Sequence, residues 1–107
     1  MRGTVKTKSE FNKIFNKGIR LTGQYINAII LKGTKETRLG IIINSKYGGS
    51  VERNRAKRVI KEAFREIVKM IKTPTEIIIM PKGPIRGIGK GEAKKDLMSM
   101  VEKSGIA

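Results

Sequence analysis

The sequence predicts an α+β fold in a single domain, and three observations carry that prediction. Short runs rich in β-branched residues recur at 24–32, 38–44 and 76–80. One long stretch places apolar residues three and four apart over several turns. The whole chain has 107 residues, enough for one compact core and too few for two. The predicted order is α-β-β-α-β-α, a small mixed sheet with a long basic helix across one face.

The elements follow in order. Residues 1–8 are polar and basic and read as a mobile N-terminus of the 1–107 domain. Ser9 is placed to cap a short helix in which Phe11, Ile14 and Phe15 share a face, and Gly18 is placed to end it. Residues 24–32 (QYINAIILK) and 38–44 (RLGIIIN) read as strands, and the short polar link at 33–37 makes an antiparallel hairpin the economical connection. Tyr47-Gly48-Gly49 breaks the pattern and Ser50 opens the long helix. Its apolar positions are 56, 59, 60, 63, 64, 67, 68 and 71, and Pro74 stops it. Glu52 in the first turn suits the helix dipole. Residues 76–80 (EIIIM) form a third strand, 81–91 a loop of Gly, Pro and basic residues, and 92–103 a final amphipathic helix.

Composition narrows function. There are 24 Lys and Arg against 9 Asp and Glu, a net charge of +15. Such self-repulsion opposes a compact fold and points to a polyanionic partner. Neither Cys nor His occurs, which removes disulfides, thiolate chemistry and the commonest general base and metal ligand. Protein-side catalysis therefore starts with a poor toolkit, and no catalytic or metal-binding residue is expected. Apolar runs are too short to span a bilayer and the N-terminus lacks a signal-peptide pattern, so a cytoplasmic protein without membrane association is expected. Gly87-Ile88-Gly89-Lys90-Gly91 is not a P-loop, because Gly91 stands where Ser or Thr would hold magnesium.

The long helix carries the functional signal. At about 100° per residue, Asn54, Lys57, Arg58, Lys61, Arg65, Lys69 and Lys72 form one stripe away from the apolar face. Glu62 and Glu66 are confined to one flank. A solvated helix gains from interleaving opposite charges at i, i+4. Here the cations cluster, so a partner's phosphates are expected to neutralise them. At the start of the helix, Arg53 and Arg55 offer guanidinium forks, Asn54 an amide, and the helix terminus free backbone N–H groups. All are suited to phosphate or sugar.

These residues also carry a resemblance. Arg38-Leu39-Gly40-Ile41-Ile42-Ile43, then Lys46-Tyr47-Gly48, then Val51 to Arg65 with its Arg53-Asn54-Arg55-Ala56-Lys57-Arg58 run resembles the signature of the bacterial ribonuclease P protein family. Phe11-Asn12-Lys13-Ile14-Phe15-Asn16-Lys17-Gly18 is similar to the family's first-helix box. The resemblance covers roughly residues 9–82. It implies a protein that partners a catalytic RNA and helps it remove the 5′ leader from precursor tRNA, one protein per RNA. The RNA is the catalyst, using Mg2+ bound in the assembled ribonucleoprotein. Carried over, Lys46, Arg53, Asn54, Arg55, Arg58 and Arg65 contact the catalytic RNA, and Phe11, Phe15, Lys57 and Lys61 line a cleft for the tRNA leader. It also implies a left-handed βαβ crossover, against the usual right-handed preference. Three departures stand out: Ser45 where the family has a second lysine, Ile29 where an aromatic is frequent, and Pro81 where arginine is common.

Two phenylalanines four apart on a short helix also suit a core, and one ring can serve both ends. A ribosomal or general RNA-chaperone protein shares the size and charge, but has no need to couple the phenylalanine box to the Arg-Asn-Arg helix. A membrane-surface protein needs bulky apolar residues free to enter lipid, whereas here that face must cover the sheet.

Overall fold

A computed structural model describes residues 4–5, 7–44, 46, 48–82 and 88–107. The elements are α1 (Lys8–Lys17), β1 (Ile19–Thr22), β2 (Ile26–Lys32), β3 (Arg38–Ile41), α2 (Ser50–Ile67) with a 3-10 turn at Val68–Met70, β4 (Thr75–Pro81) and α3 (Lys90–Ser104). The strands form one mixed sheet in the order β1-β2-β4-β3. The expected class and element order hold, with β1 added ahead of the first expected strand.

The expected hairpin between residues 24–32 and 38–44 does not form. β4 lies between the two strands, antiparallel to β2 (Ile29 opposite Ile78) and parallel to β3 (Gly40 opposite Ile78). The reason is in β4 itself. Ile77, Ile78 and Ile79 are all fully buried, so this strand needs cover on both faces and a neighbour on both edges. β2 instead takes its hairpin partner from β1, with Ile19 opposite Ile30.

Alternation along the strands sends residues to two cores. On one face, Ile26, Ala28, Ile30, Leu39, Ile77 and Ile79 meet Ala56, Ile60, Ala63, Phe64 and Ile67 of α2 and Ala93, Leu97, Met100 and Val101 of α3. On the other, Ile29 and Ile78 meet Ile14 of α1 and Val5, with Phe11, Phe15, Leu31 and Met80 packed around them. The helices therefore divide, α1 on one face and α2 with α3 on the other.

Both ends of the first helix have clear causes. The cap is Thr7 rather than Ser9. Its hydroxyl accepts from the Glu10 N–H at 3.1 Å, and the Glu10 carboxylate accepts from the Thr7 N–H at 2.9 Å, a reciprocal capping box. Gly18 ends the helix as expected, since a Cβ there would stand 2.6 Å from both the Ile14 carbonyl and the Ile29 side chain. Of the N-terminal segment, residues 4 and 5 lie against the sheet. Thr4 bridges Leu39 in parallel, Val5 is buried, and the Val5 N–H donates to the Leu39 carbonyl at 3.0 Å. The long helix also stops earlier than Pro74, passing into the 3-10 turn after Ile67.

Asp96 of α3 ties the last helix to the first hairpin. Its carboxylate, almost wholly buried, accepts from the backbone N–H groups of Gln24, Tyr25 and Ile26 at 3.2, 2.7 and 3.0 Å. Removing the acceptor leaves the buried Ile26 N–H unmet, at about 1–3 kcal/mol, and the part-buried Gln24 and Tyr25 N–H groups at less. Asp96→Ala is therefore expected to lose about 2–4 kcal/mol in urea unfolding, and Asp96→Asn less. A wild-type midpoint for Asp96→Ala would show that the turn holds without the carboxylate.

Candidate nucleic-acid interface

Helix α2 presents the basic stripe as expected. Its buried positions are Ala56, Ile60, Ala63, Phe64 and Ile67, and the opposite surface exposes Asn54, Lys57, Arg58, Lys61 and Arg65. These five, with Glu62, line a shallow cavity of about 330 Å3 along the helix. A second cavity, of about 370 Å3, lies where α2 begins beside the end of β3. Ile41, Ile42 and Ile43 make one wall and Ser50, Arg53, Asn54 and Lys57 the other. Asn54 and Lys57 belong to both, so the two form one continuous basic groove along the β3 side of α2.

The Arg53-Asn54-Arg55 run divides on folding, because successive helical residues point about 100° apart. Arg53 is half-buried, its Nε donating to the Gly49 carbonyl at 3.4 Å, and it lines the groove. Arg55 turns to the opposite flank, where its Nη1 reaches the Ile88 carbonyl at 3.5 Å, just before α3. Lys46 is exposed in the approach to α2, while Ser45 and Tyr47 of the same turn lie outside the described residues, as do residues 83–87 of the 81–91 loop.

The acidic flank of α2 is where α3 packs. Glu66 pairs with Lys90 at 2.7 Å and Lys94 at 3.2 Å. Donation from Lys90, then Lys94, holds the Glu66 carboxyl below its ordinary value, and the same contact raises Lys90. Glu66 thus answers to α3, and Glu62 is the one carboxylate among the cations that line the groove.

Across the sheet, α1 runs over the strands from β3 towards β2. The Phe11 ring covers Gly40, where a Cβ would approach it to 2.9 Å, and Ile14 sits on Ile29 and Ile78. One flank of α1 carries Glu10 and Lys13 beside a cavity of about 520 Å3 over Leu31, Arg38 and Glu76. There Arg38 is held by Glu10 and by Glu76 at 3.3 Å, with Glu36 at 3.9 Å, and its pKa is raised, chiefly by Glu10. The other flank carries Phe11 and Phe15, both half-buried. It looks along the sheet to the row of Thr22, Asn27 and Met80, the first exposed and the others half-buried. This is a cleft with two aromatic edges on one side. Ile29, at the position where an aromatic was expected, is buried beneath α1 and offers it no surface.

The expected leader residues are not all brought together. Phe11 and Phe15 lie on the α1 face, while Lys57 and Lys61 belong to the α2 groove on the opposite face. Because β3 is the edge strand, the two surfaces meet around that edge. Gly40 carries Phe11 on one side, and Ile41 to Ile43 line the Arg53–Lys57 cavity on the other. Lys57, on the shared wall, is close to this junction; Lys61 lies a turn further along α2. Sequence reasoning missed Arg20. From β1 its guanidinium carbon stands over the Phe15 ring, 5.9 Å from the centroid.

Fold and surface together define a small α+β protein that presents a cationic helix groove and an aromatic-edged face on either side of the β3 edge. The family model for Ribonuclease P matches residues 2–105. The ribonuclease P protein component of Oceanobacillus iheyensis is 32% identical over 106 residues, spanning 95% of this chain and 86% of that protein. That of Bacillus pumilus is 31% identical over 107 residues, spanning 98% and 90%. Among solved structures, the RNase P protein from Thermotoga maritima superposes with a TM-score of 0.82 at 24% identity, covering 95% of this chain and 97% of that one. The Staphylococcus aureus RNase P protein gives 0.80 at 23%, covering 96% and 95%. The chain belongs to the ribonuclease P protein family. Among the described residues, no helix is long and apolar enough to cross a membrane.

The Glu66 contacts set a pH dependence. A carboxyl whose folded pKa is depressed contributes stability above its unfolded value, and that contribution is lost as pH falls through the folded one. Lys90, raised, keeps its contribution until far above neutral. Glu66→Gln is thus expected to melt below wild type at neutral pH, with the two melts converging in acid and at about 1 M salt, where exposed pairs are screened. A gap that persists unchanged in acid would assign the loss to packing.

Proposed function

We propose that this protein is the RNA-binding partner of the ribonuclease P catalytic RNA, one protein to one RNA, and that it holds the 5′ leader of precursor tRNA while the RNA cleaves it. The observation that carries this reading is the strongly cationic groove of Asn54, Lys57, Arg58, Lys61 and Arg65, with Glu62 its single carboxylate, continuous with Arg53 at the strand edge. Phosphates of a folded RNA supply the missing countercharge. Lys46 and Arg55, on either side of the start of α2, extend the same contact. The half-buried phenylalanines of α1 offer stacking edges to unpaired bases, which a leader has and a mature tRNA 5′ end lacks.

Mg2+ in this reading belongs to the RNA. Side chains along the groove are cations and an amide with the single carboxylate of Glu62, and among the described residues no group of three acidic, His or Cys side chains could hold a metal ion. The protein favours metal-dependent cleavage indirectly, by binding the RNA and aligning the leader. A precursor is distinguished from product by the leader alone, so about 1.4 kcal/mol of leader contact gives tenfold discrimination.

Two measurements test this. Arg58→Ala with Arg65→Ala, both exposed, should weaken binding to the catalytic RNA and reduce the salt-dependence slope by about one per lost phosphate contact. An unchanged slope would mark the stripe as ordinary solvated surface. Phe15→Ala should leave assembly with the catalytic RNA intact and weaken binding of leader-bearing precursor by about tenfold, within the range for loss of one base stack. Mature tRNA should bind as before. Equal losses on both RNAs, in a protein whose melt shows it folded, would remove the leader role from the cleft.

A further inference from the structure

We infer that Arg20 is a leader-binding residue that completes the cleft with Phe15, the two forming one platform for a single unpaired nucleotide; this rests on the leader reading above.

Arg20 pairs in register with Ile29, so it shares the α1 face of the sheet. It is exposed at the edge strand, its guanidinium carbon is 5.9 Å from the Phe15 centroid, and its Nη2 donates to the Phe15 carbonyl at 3.4 Å. That carbonyl belongs to the last turn of α1, where backbone oxygens lack helical partners and the dipole favours a cation. The bond fixes the guanidinium over the ring. An exposed arginine at an edge strand is thereby drawn to one place beside the ring, with no second hydrogen-bond partner among the described residues.

Such a pair suits one ligand chemistry. An unpaired nucleotide offers a π-face and a phosphate on the same unit. The ring edge and guanidinium plane accept the base in a sequence-tolerant way, and the fork takes the phosphate. Neither half alone does both. Asn27 lies in the next row of the same face, half-buried, so the surface beside the platform is polar. Helix capping alone would also account for the Phe15 carbonyl contact. It would not make Arg20 matter to one RNA and not to another, and the experiment turns on that difference.

The test uses the protein assembled with its catalytic RNA, and compares precursor tRNA bearing a leader of several nucleotides with mature tRNA. Arg20→Ala should weaken precursor binding by about fivefold to tenfold, comparable with loss of one stacked base, and leave mature tRNA unchanged. Arg20→Lys keeps the charge and loses the plane, so it should retain the wild-type salt slope while recovering only part of the affinity. Arg20→Ala with Phe15→Ala should lose little more than Phe15→Ala alone, because a shared platform is lost once. Thermal melts accompany each variant. Wild-type precursor binding by Arg20→Ala, with Phe15→Ala still selective, overturns the role of Arg20 and leaves the leader cleft standing. Loss of precursor and mature tRNA alike reduces Arg20 to a helix cap. If Phe15→Ala itself discriminates nothing, the cleft reading falls and the platform with it.

Discussion

The structure depends on one strand that is apolar on both faces and has a neighbour on each edge. Ile77, Ile78 and Ile79 follow one another in β4, and each is buried. Successive residues of a strand point to opposite faces, so no single layer of helices can cover all three. Ile77 and Ile79 demand the α2–α3 layer, and Ile78 demands α1. Placing β4 centrally, between an antiparallel and a parallel partner, leaves β3 at the edge. A parallel β3–β4 pair cannot be closed by a tight turn, so the 18 residues of α2 lie between them in sequence. The position of the basic helix thus follows from the burial of three isoleucines.

The same constraint explains how two surfaces on opposite faces can work together. An edge strand is the shortest route between the faces of a sheet. At β3 that route has chemistry on both sides, with Phe11 lying over Gly40 and the Arg53–Lys57 groove opening beside Ile41 to Ile43. Gly40 is what allows the ring so close, since any Cβ would meet it. Among the described residues, the N-terminal segment pairs with this edge at Leu39, through Thr4 and Val5.

Much of this was legible in the sequence, for identifiable reasons. The apolar spacing from Ala56 to Ile67 gave α2 and, by subtraction, the stripe, because one long helix settles both faces at once. Strand pairing was not legible. The link at 33–37 is short enough for a hairpin, and only the burial of β4 on both faces, a tertiary fact, puts another strand in between. β1 is four residues of mixed polarity, Ile-Arg-Leu-Thr, and is held by its pairing with β2 rather than by its own pattern. The cap at Thr7 was readable, since Thr7 and Glu10 have capping-box spacing, and Ser9 drew attention only by lying nearer the first phenylalanine. Resemblance transfers Lys61 and Phe15 as one group without saying which face of the sheet each occupies, and only the folded sheet places them on different faces.

Charge placement connects stability to function. Of nine acidic residues, Glu10, Glu36 and Glu76 surround Arg38, Glu66 joins α3 to α2, and Asp96 holds the first turn of the sheet. Five carboxylates are therefore committed to joints of the fold. A protein of net charge +15 could lower its self-repulsion by moving any of these onto the α2 stripe at i, i+4 from a lysine, a gain of a few tenths of a kcal/mol per pair. It would then carry its own counterions into the groove, and each would have to be outcompeted or repelled by an incoming phosphate. Binding strength from counterion release scales with the number of phosphates neutralised. A stripe with Glu62 as its only carboxylate costs the free protein some stability and leaves its cations available to a polyanion.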